Sequence, residues 1–106
     1  MVWAAALALA AANQEPSRDD AGTLLRQCEG SNVSYCMGYV TGTLHGYSVT
    51  QDTLPVQARI CVPETARINQ GVAIVVAYLK EKPETWHLPP QGAVINALLR
   101  VWRCKT

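Results

Sequence analysis

Hydrophobic side chains recur at intervals of three and four residues in four separate segments of the chain. This spacing is typical of amphipathic helices whose apolar side faces a core. The second segment runs to about Thr50, and residues 51–63, with two prolines and no sustained period, predict a connection that could include a helical turn. The positions predicted to be buried are Leu24, Leu25 and Cys28 in the first segment, Val33, Cys36, Met37, Val40, Leu44 and Tyr47 in the second, Ile68, Val72, Val75, Val76 and Leu79 in the third, and Val94, Ile95, Leu98, Leu99 and Trp102 in the fourth.

Polar residues at the ends of the first two segments set their boundaries. Asp19 or Asp20 can cap the first helix, and Gly30 can end it. Ser31 or Asn32 can then cap the second helix. The first helix is therefore predicted to be short and to be followed closely by a longer one.

The third segment is apolar on more than one side. Ile74 and Tyr78 lie opposite its main apolar face, so we expect this helix to occupy the middle of the fold. The β-branched run from Gly71 to Tyr78 could also form a buried strand, but the length of the periodic segment favours a helix. Pro89 and Pro90 then start the last helix.

The first twelve residues are all apolar, as in the hydrophobic core of a secretory signal. We therefore expect an exported, periplasmic protein in which 1–12 is the remnant of a signal peptide, 13–19 is a flexible tether and 20–106 is a single helical domain. The apolar run is shorter than the ~20 residues of a membrane-spanning helix, which makes a membrane anchor the weaker interpretation. A net charge of +1 gives no electrostatic footprint for nucleic acid.

Four cysteines in a chain of 106 residues predict disulfides formed in an oxidising compartment. One possible pairing joins cysteines that are neighbours in the sequence. A Cys28–Cys36 disulfide would link the first two helices near their turn, and a Cys61–Cys104 disulfide would link the start of the third helical segment to the end of the fourth. Crossed and nested pairings stay open at this point. A zinc site is the weaker use, because the chain has no C-x-x-C element. The predicted fold class is all-α, a compact bundle of four to five helices stapled by two disulfides.

Glycines recur every fourth residue along the second helix, at Gly38, Gly42 and Gly46. Each glycine costs a helix about 1 kcal/mol relative to alanine, so a stripe of three glycines indicates that its surface makes a favourable contact. We expect close packing against the third helix, where Gly71 and Ala77 offer matching small residues. The alternative is a flat surface for a dimer or another partner.

The ordered set of motifs resembles one known family. Residues 35–42, Y-C-M-G-Y-V-T-G, are similar to the C-x-G-Y-[IV]-x-G segment of the type VI secretion amidase immunity family, called Tai or Rap. The second half follows the same order from Cys61-Val62-Pro63-Glu64 to the closing Cys104. The resemblance covers about residues 20–104. Two positions depart from the family pattern, His45, where an acidic residue is common, and Lys82, where a histidine precedes the Pro-Glu pair.

The resemblance implies a small periplasmic helical protein that binds a cell-wall amidase toxin and covers its catalytic cleft. The toxins of this family are cysteine peptidases of peptidoglycan, and many of the immunity proteins form homodimers. The resemblance implies no chemistry, no cofactor and no metal in the immunity protein itself.

An inhibitor of a cleft needs a protruding element with a few anchoring side chains. The connection Gln51 to Arg59 suits this role, and the Cys61 bridge would stiffen its far end. The residues predicted to contact the partner are Asp52, Leu54, Pro55, Val56 and Arg59 in this connection, together with His45 on the second helix. Alternatively, Leu54 and Val56 fold back over the core.

The residues give no indication of an enzyme, because no nucleophile stands beside a base and no paired carboxylates or open metal site are evident. A second hypothesis from a different class is an exported helical module with a structural or chaperone-like role and no toxin partner. The two differ at low pH, where an acid-stress chaperone would expose apolar surface.

Overall fold

A computed structural model describes residues 19–105, which form a bundle of packed helices around one core. The predicted signal segment 1–12 and most of the tether 13–19 lie outside the described residues. Within this part of the chain the α-helices are α1 (Ala21–Arg26), α2 (Val33–Thr50), α3 (Ile68–Glu81) and α4 (Pro90–Trp102). The all-α prediction is confirmed for residues 19–105, where the nearest approach to a sheet is an isolated bridge.

Asp20 caps α1, and it is one of the two residues that the sequence predicted as the cap. Its carboxylate accepts a hydrogen bond from the Thr23 backbone N–H at 2.8 Å, and this bond lowers the pKa of Asp20. After Arg26 the chain widens into a π-type turn, Gln27–Ser31, which contains Gly30 at a φ of 141°. A side chain is strained at this backbone conformation, so glycine ends the first helical segment.

Helix α2 begins after Asn32, whose side chain accepts from the Tyr35 backbone N–H at 3.1 Å. The helix ends at Thr50, as the periodicity predicted. Cys36 and Val40 are fully buried, whereas Val33, predicted to be buried, is 44% exposed in the first turn of the helix. The buried stripe therefore starts one turn later than expected.

Both predicted disulfides are present. Cys28 pairs with Cys36, and Cys61 pairs with Cys104, with Cα atoms 5.0 Å apart in each pair. The first bridge lies in the core and joins the end of the α1 segment to the first turns of α2. The second joins the segment before α3 to Cys104, two residues after the end of α4.

Helix α3 lies in the middle of the fold and contacts the other three helices. Gly71, Val75 and Leu79 are buried along one side, and the half-buried Ile74 and Tyr78 also pack against the core, as the sequence predicted. The remaining buried hydrophobic residues of the described chain are Ala21, Leu24, Leu25, Cys28, Cys36, Val40, Ile60, Ala93, Val94, Ala97 and Leu98.

The connection between α3 and α4 holds the start of α1. The Trp86 indole N–H donates to the Leu79 carbonyl at 2.6 Å, which satisfies an acceptor at the end of α3. The backbone N–H of Gly22 donates to the Trp86 carbonyl at 2.9 Å. A Cβ on Gly22 would lie 3.2 Å from the Cβ of Trp86, so glycine allows this close approach.

The predicted packing of the glycine stripe against α3 is wrong. Gly38, Gly42 and Gly46 are exposed, and a Cβ added to any of them would meet nothing within 4 Å. Gly38 follows the buried Cys36 by two residues, which places it about 200° around the helix from the core side. The small residue that does bring α3 close to α2 is Gly71, where a Cβ would lie 3.7 Å from Val40 Cγ1.

Candidate partner-binding site

The connection after α2 forms a folded loop, which we call loop 51–59. It contains two short 3-10 turns, Gln51–Thr53 and Val56–Ala58, separated by Leu54 and Pro55. The sequence predicted a connection here and left open a single helical turn. The two turns make the loop compact, because each ends on a backbone hydrogen bond to its first residue.

Gln51 closes the loop from one side. Its amide oxygen accepts from the Ile60 backbone N–H at 3.0 Å, and its amide nitrogen donates to the Ile60 carbonyl at 3.1 Å. Ile60 itself is only 4% exposed and belongs to the buried core. The side chain of Gln51 therefore ties the first residue of the loop to a buried position just beyond its end.

Arg59 closes the loop from the other side. Its Nε donates to the Leu54 carbonyl at 2.8 Å, and its Nη2 donates to the Asp52 carbonyl at 3.0 Å. Arg59 was predicted as a contact for a partner. Two of its donors are used inside the loop, so its guanidinium supports the positions of Asp52 and Leu54.

Side chains at or near the ends of two helices bind the second half of the loop. The Tyr47 hydroxyl of α2 donates to the Ala58 carbonyl at 2.5 Å. The Arg103 guanidinium, just beyond α4, donates to the Gln57 carbonyl. The loop is therefore attached to the ends of two different helices.

The base of the loop is fastened covalently and by backbone bonds. The Cys61 N–H donates to the Trp102 carbonyl at 2.7 Å, and the Cys104 N–H donates to the Arg59 carbonyl at 2.9 Å. The Cys61–Cys104 disulfide joins the same two segments. These bonds hold the last residue of the loop against the C-terminal segment of the domain.

The middle of the loop presents a small apolar group. Pro55 and Asp52 are exposed, whereas Leu54 and Val56 are half-buried. Neither Leu54 nor Val56 is among the partly buried hydrophobic residues that pack against the core. Both side chains therefore keep accessible surface, and neither packs against the core as the alternative interpretation expected.

His45 lies apart from the loop. It is exposed on α2 and lines a cavity of about 180 Å³ together with residues of α3 and α4. No residue of loop 51–59 lines this cavity. The structure thus brings five of the predicted contact residues together and leaves His45 at a second location.

Two kinds of site, a metal centre and a free thiol, are absent from the described residues. Across residues 19–105, no group of three or more His, Cys, Asp or Glu side chains is arranged as metal ligands would be, and every cysteine is in a disulfide. The Arg100 guanidinium donates to Glu81 on the surface and lowers the pKa of that carboxyl. None of the described helices combines the length and apolar character needed to cross a membrane.

Sequence reasoning missed the role of Gln51. A glutamine at the start of a proline-containing loop has many uses, and its pairing with Ile60 depends on how the chain folds back over nine residues. The only sequence signal was the flanking Cys61, which predicted a stiff far end.

Comparison with known protein families identifies a family for most of this chain. A family model described as Rap1a immunity proteins matches residues 20–104. Neither the curated proteins nor the solved structures contain a significant match to this chain.

Proposed function

The chain belongs to the Rap1a immunity protein family, a family of type VI secretion immunity proteins, and we propose that it binds a peptidoglycan amidase effector in the periplasm and covers its catalytic cleft. In this way it protects the cell that produces it. The observation that carries the proposal is the rigid loop 51–59, which is tied at both ends and presents Leu54, Pro55 and Val56 at its middle.

Rigidity matters because binding normally costs free energy to order a loop. A segment already held in its bound conformation avoids about 0.5–1.5 kcal/mol for each side chain that would otherwise be immobilised. Pro55 also restricts the backbone at the middle of the loop. Asp52 adds one exposed carboxylate, so the loop offers an apolar anchor with a charged neighbour.

The periplasmic location rests on the cysteines. Both disulfides are formed, and the described residues contain no free cysteine. Disulfides persist in the periplasm and are rare in the reducing cytosol. The apolar residues 1–12 agree with export.

Co-purification tests the proposal. The chain is expressed with the amidase encoded beside its gene, and a variant in which residues 52–57 are replaced by a short glycine linker is expressed in parallel. We expect a stable complex and loss of peptidoglycan hydrolysis with the native chain, and both should fail with the loop variant. Asn96→Ala, at an exposed position of α4 outside the loop, is the control and should inhibit normally. Full inhibition by a folded loop variant would exclude the loop, and no complex with the native chain would exclude the function.

We further propose that two copies associate through the exposed face of α2. The family resemblance supports a homodimer, and the face carries Gly42 between two exposed hydrophobic side chains, Tyr35 at 42% and Val49 at 80% exposure. A Cβ at Gly42 meets nothing within the protomer, so a bulky substitution there would disturb only a partner. Light scattering should show a native dimer and a Gly42→Glu monomer that keeps its helical circular dichroism spectrum. A monomeric native chain would contradict the proposal.

A further inference from the structure

A second candidate site lies in the cavity that His45 lines, between α2, the start of α3 and the end of α4. Its floor is formed by Val40, Gly71 and Leu98, all of which are buried. Its walls are half-buried apolar side chains, among them Leu44 and Trp102. The volume of about 180 Å³ is well below the ~300–1,000 Å³ of a site for a drug-sized ligand or cofactor, so it fits a single side chain.

Gly71 keeps this space open. A Cβ at this position would lie 3.7 Å from Val40 Cγ1 and 3.9 Å from the Trp102 ring, so any larger side chain would enter the cavity. The interior offers no free hydroxyl donor, because the Thr41 hydroxyl already donates to the Met37 carbonyl at 2.7 Å. The inside of the cavity therefore favours an apolar group over a polar one.

The rim of the cavity carries one cation, the Arg67 guanidinium, and the imidazole of His45. Arg67 and His45 are exposed at its edge, and no acidic residue lines it. In residues 19–105 the ion pairs are Lys80 with Glu29 and Arg100 with Glu81, so the Arg67 guanidinium is not neutralised by a carboxylate there. An unneutralised cation beside an apolar cavity attracts an anionic group on whatever enters it.

We propose that this cavity receives one apolar side chain of the effector, next to an aspartate or glutamate of the effector whose carboxylate meets Arg67 and His45. This inference rests on the proposed function and adds a second anchor to loop 51–59. The charge of Arg67 would select an effector that carries an acidic group at this point.

A minimal probe tests the cavity without the effector. N-acetyl-leucyl-aspartyl amide is titrated into the isotopically labelled chain, and the NMR signals of the Trp102 indole N–H and the Gly71 amide are followed. We expect saturable shifts at both. The leucyl-asparaginyl probe should bind about threefold to fivefold more weakly, as expected for loss of an exposed charge contact. The alanyl-aspartyl probe should bind at least about tenfold more weakly, because it loses most of the buried apolar side chain.

Two matched pairs of variants connect the cavity to the effector. Ala66→Trp fills the mouth of the cavity, and Ala73→Trp places the same side chain on an exposed position of α3 outside it. Arg67→Glu reverses the charge of the rim, and Arg26→Glu does the same on α1. Ala66→Trp should abolish the probe shifts and weaken inhibition of the amidase at least about tenfold, whereas both controls should behave like the native chain.

The outcomes separate this inference from the proposed function. Probe shifts that vanish with Ala66→Trp, together with weakened inhibition by Ala66→Trp and Arg67→Glu, support the cavity as an anchor site. Absence of saturable shifts, or full inhibition by folded Ala66→Trp, overturns the inference and leaves the loop proposal intact. Failure of the native chain to inhibit the amidase overturns the proposed function itself, and this inference with it.

Discussion

Replacing Gln51 with alanine should weaken inhibition of the effector while leaving the helical fold in place. The substitution removes both hydrogen bonds between the Gln51 amide and Ile60. The Arg59 bonds and the Cys61–Cys104 disulfide stay, so the loop remains attached at its far end. Gln51 is not one of the predicted contacts, and the change therefore tests rigidity rather than contact.

The magnitude follows from those two bonds. Each hydrogen bond contributes about 0.5–1.5 kcal/mol net, which gives about 1–3 kcal/mol for the pair. If the loss leaves the open loop about 1.4 kcal/mol more stable than the closed loop, the binding-competent fraction falls to about one tenth. The apparent dissociation constant should then rise about tenfold, because it scales inversely with that fraction.

Two measurements on one sample check this expectation. Hydrogen exchange of the Leu54, Ala58 and Arg59 amides reports loop opening, since each donates to a carbonyl within the loop. Titration of the amidase reports inhibition. Gln57→Ala is the control, because it alters an exposed loop side chain and leaves the Gln51 bonds in place. Faster exchange with unchanged inhibition would refute the link between rigidity and inhibition, and unchanged exchange would refute the role of Gln51.

Three further predictions concern the stability of the fold. Gly42→Ala should raise the free energy of unfolding by about 1 kcal/mol, as expected in an exposed helix interior. Urea titration measures this value, and a loss of stability with Gly42→Ala would contradict the exposed stripe. Asp20→Ala should cost about 1 kcal/mol at neutral pH through loss of the α1 cap. The bond from the Thr23 N–H lowers the pKa of Asp20 below 3.8, so this contribution is present above that value and is lost as the pH falls through the folded-state pKa. The difference in unfolding free energy between the variant and the native chain should therefore disappear in acid. A difference that persists there would be inconsistent with the cap. Removing the Cys61–Cys104 bridge by a double serine substitution should lower the free energy of unfolding by about 4 kcal/mol on the chain-entropy model. Removing the Cys28–Cys36 bridge in the same way should lower it by about 2.6 kcal/mol. The reverse order in urea titrations would argue against that model for this protein.

The local features of the fold could be predicted from the sequence because their causes are local. Asp20 and Asn32 cap helices through bonds to residues three positions away, and Gly30 ends a helix by its own backbone conformation. The short separation of Cys28 and Cys36 favoured the disulfide pairing that the structure has, although the sequence left crossed and nested pairings open.

The error over the glycine stripe has a geometric cause. A four-residue repeat predicts that Gly38, Gly42 and Gly46 share one face, and the structure agrees with that much. The repeat does not say which face it is. Counting from Cys36 and Val40, which had been assigned to the core, places the glycines on the opposite side of the helix.

The candidate site could be predicted only in outline. The composition of residues 51–59 predicted a loop, but its closure depends on Gln51 reaching Ile60 and on Arg103 reaching Gln57, which lies 46 residues away. The cavity could not be predicted, because it is formed where side chains of three helices and the segment before α3 leave space over Gly71.

The proposed function places the chain over the catalytic cleft of a cysteine amidase. Alkylation of the amidase's catalytic cysteine by iodoacetamide tests it directly, because every cysteine in residues 19–105 of the inhibitor is in a disulfide and should not react. An equimolar amount of the native chain should slow alkylation at least about tenfold, as expected for exclusion of reagent from a well-packed interface. A bound amidase whose cysteine is alkylated at the free rate would contradict the account.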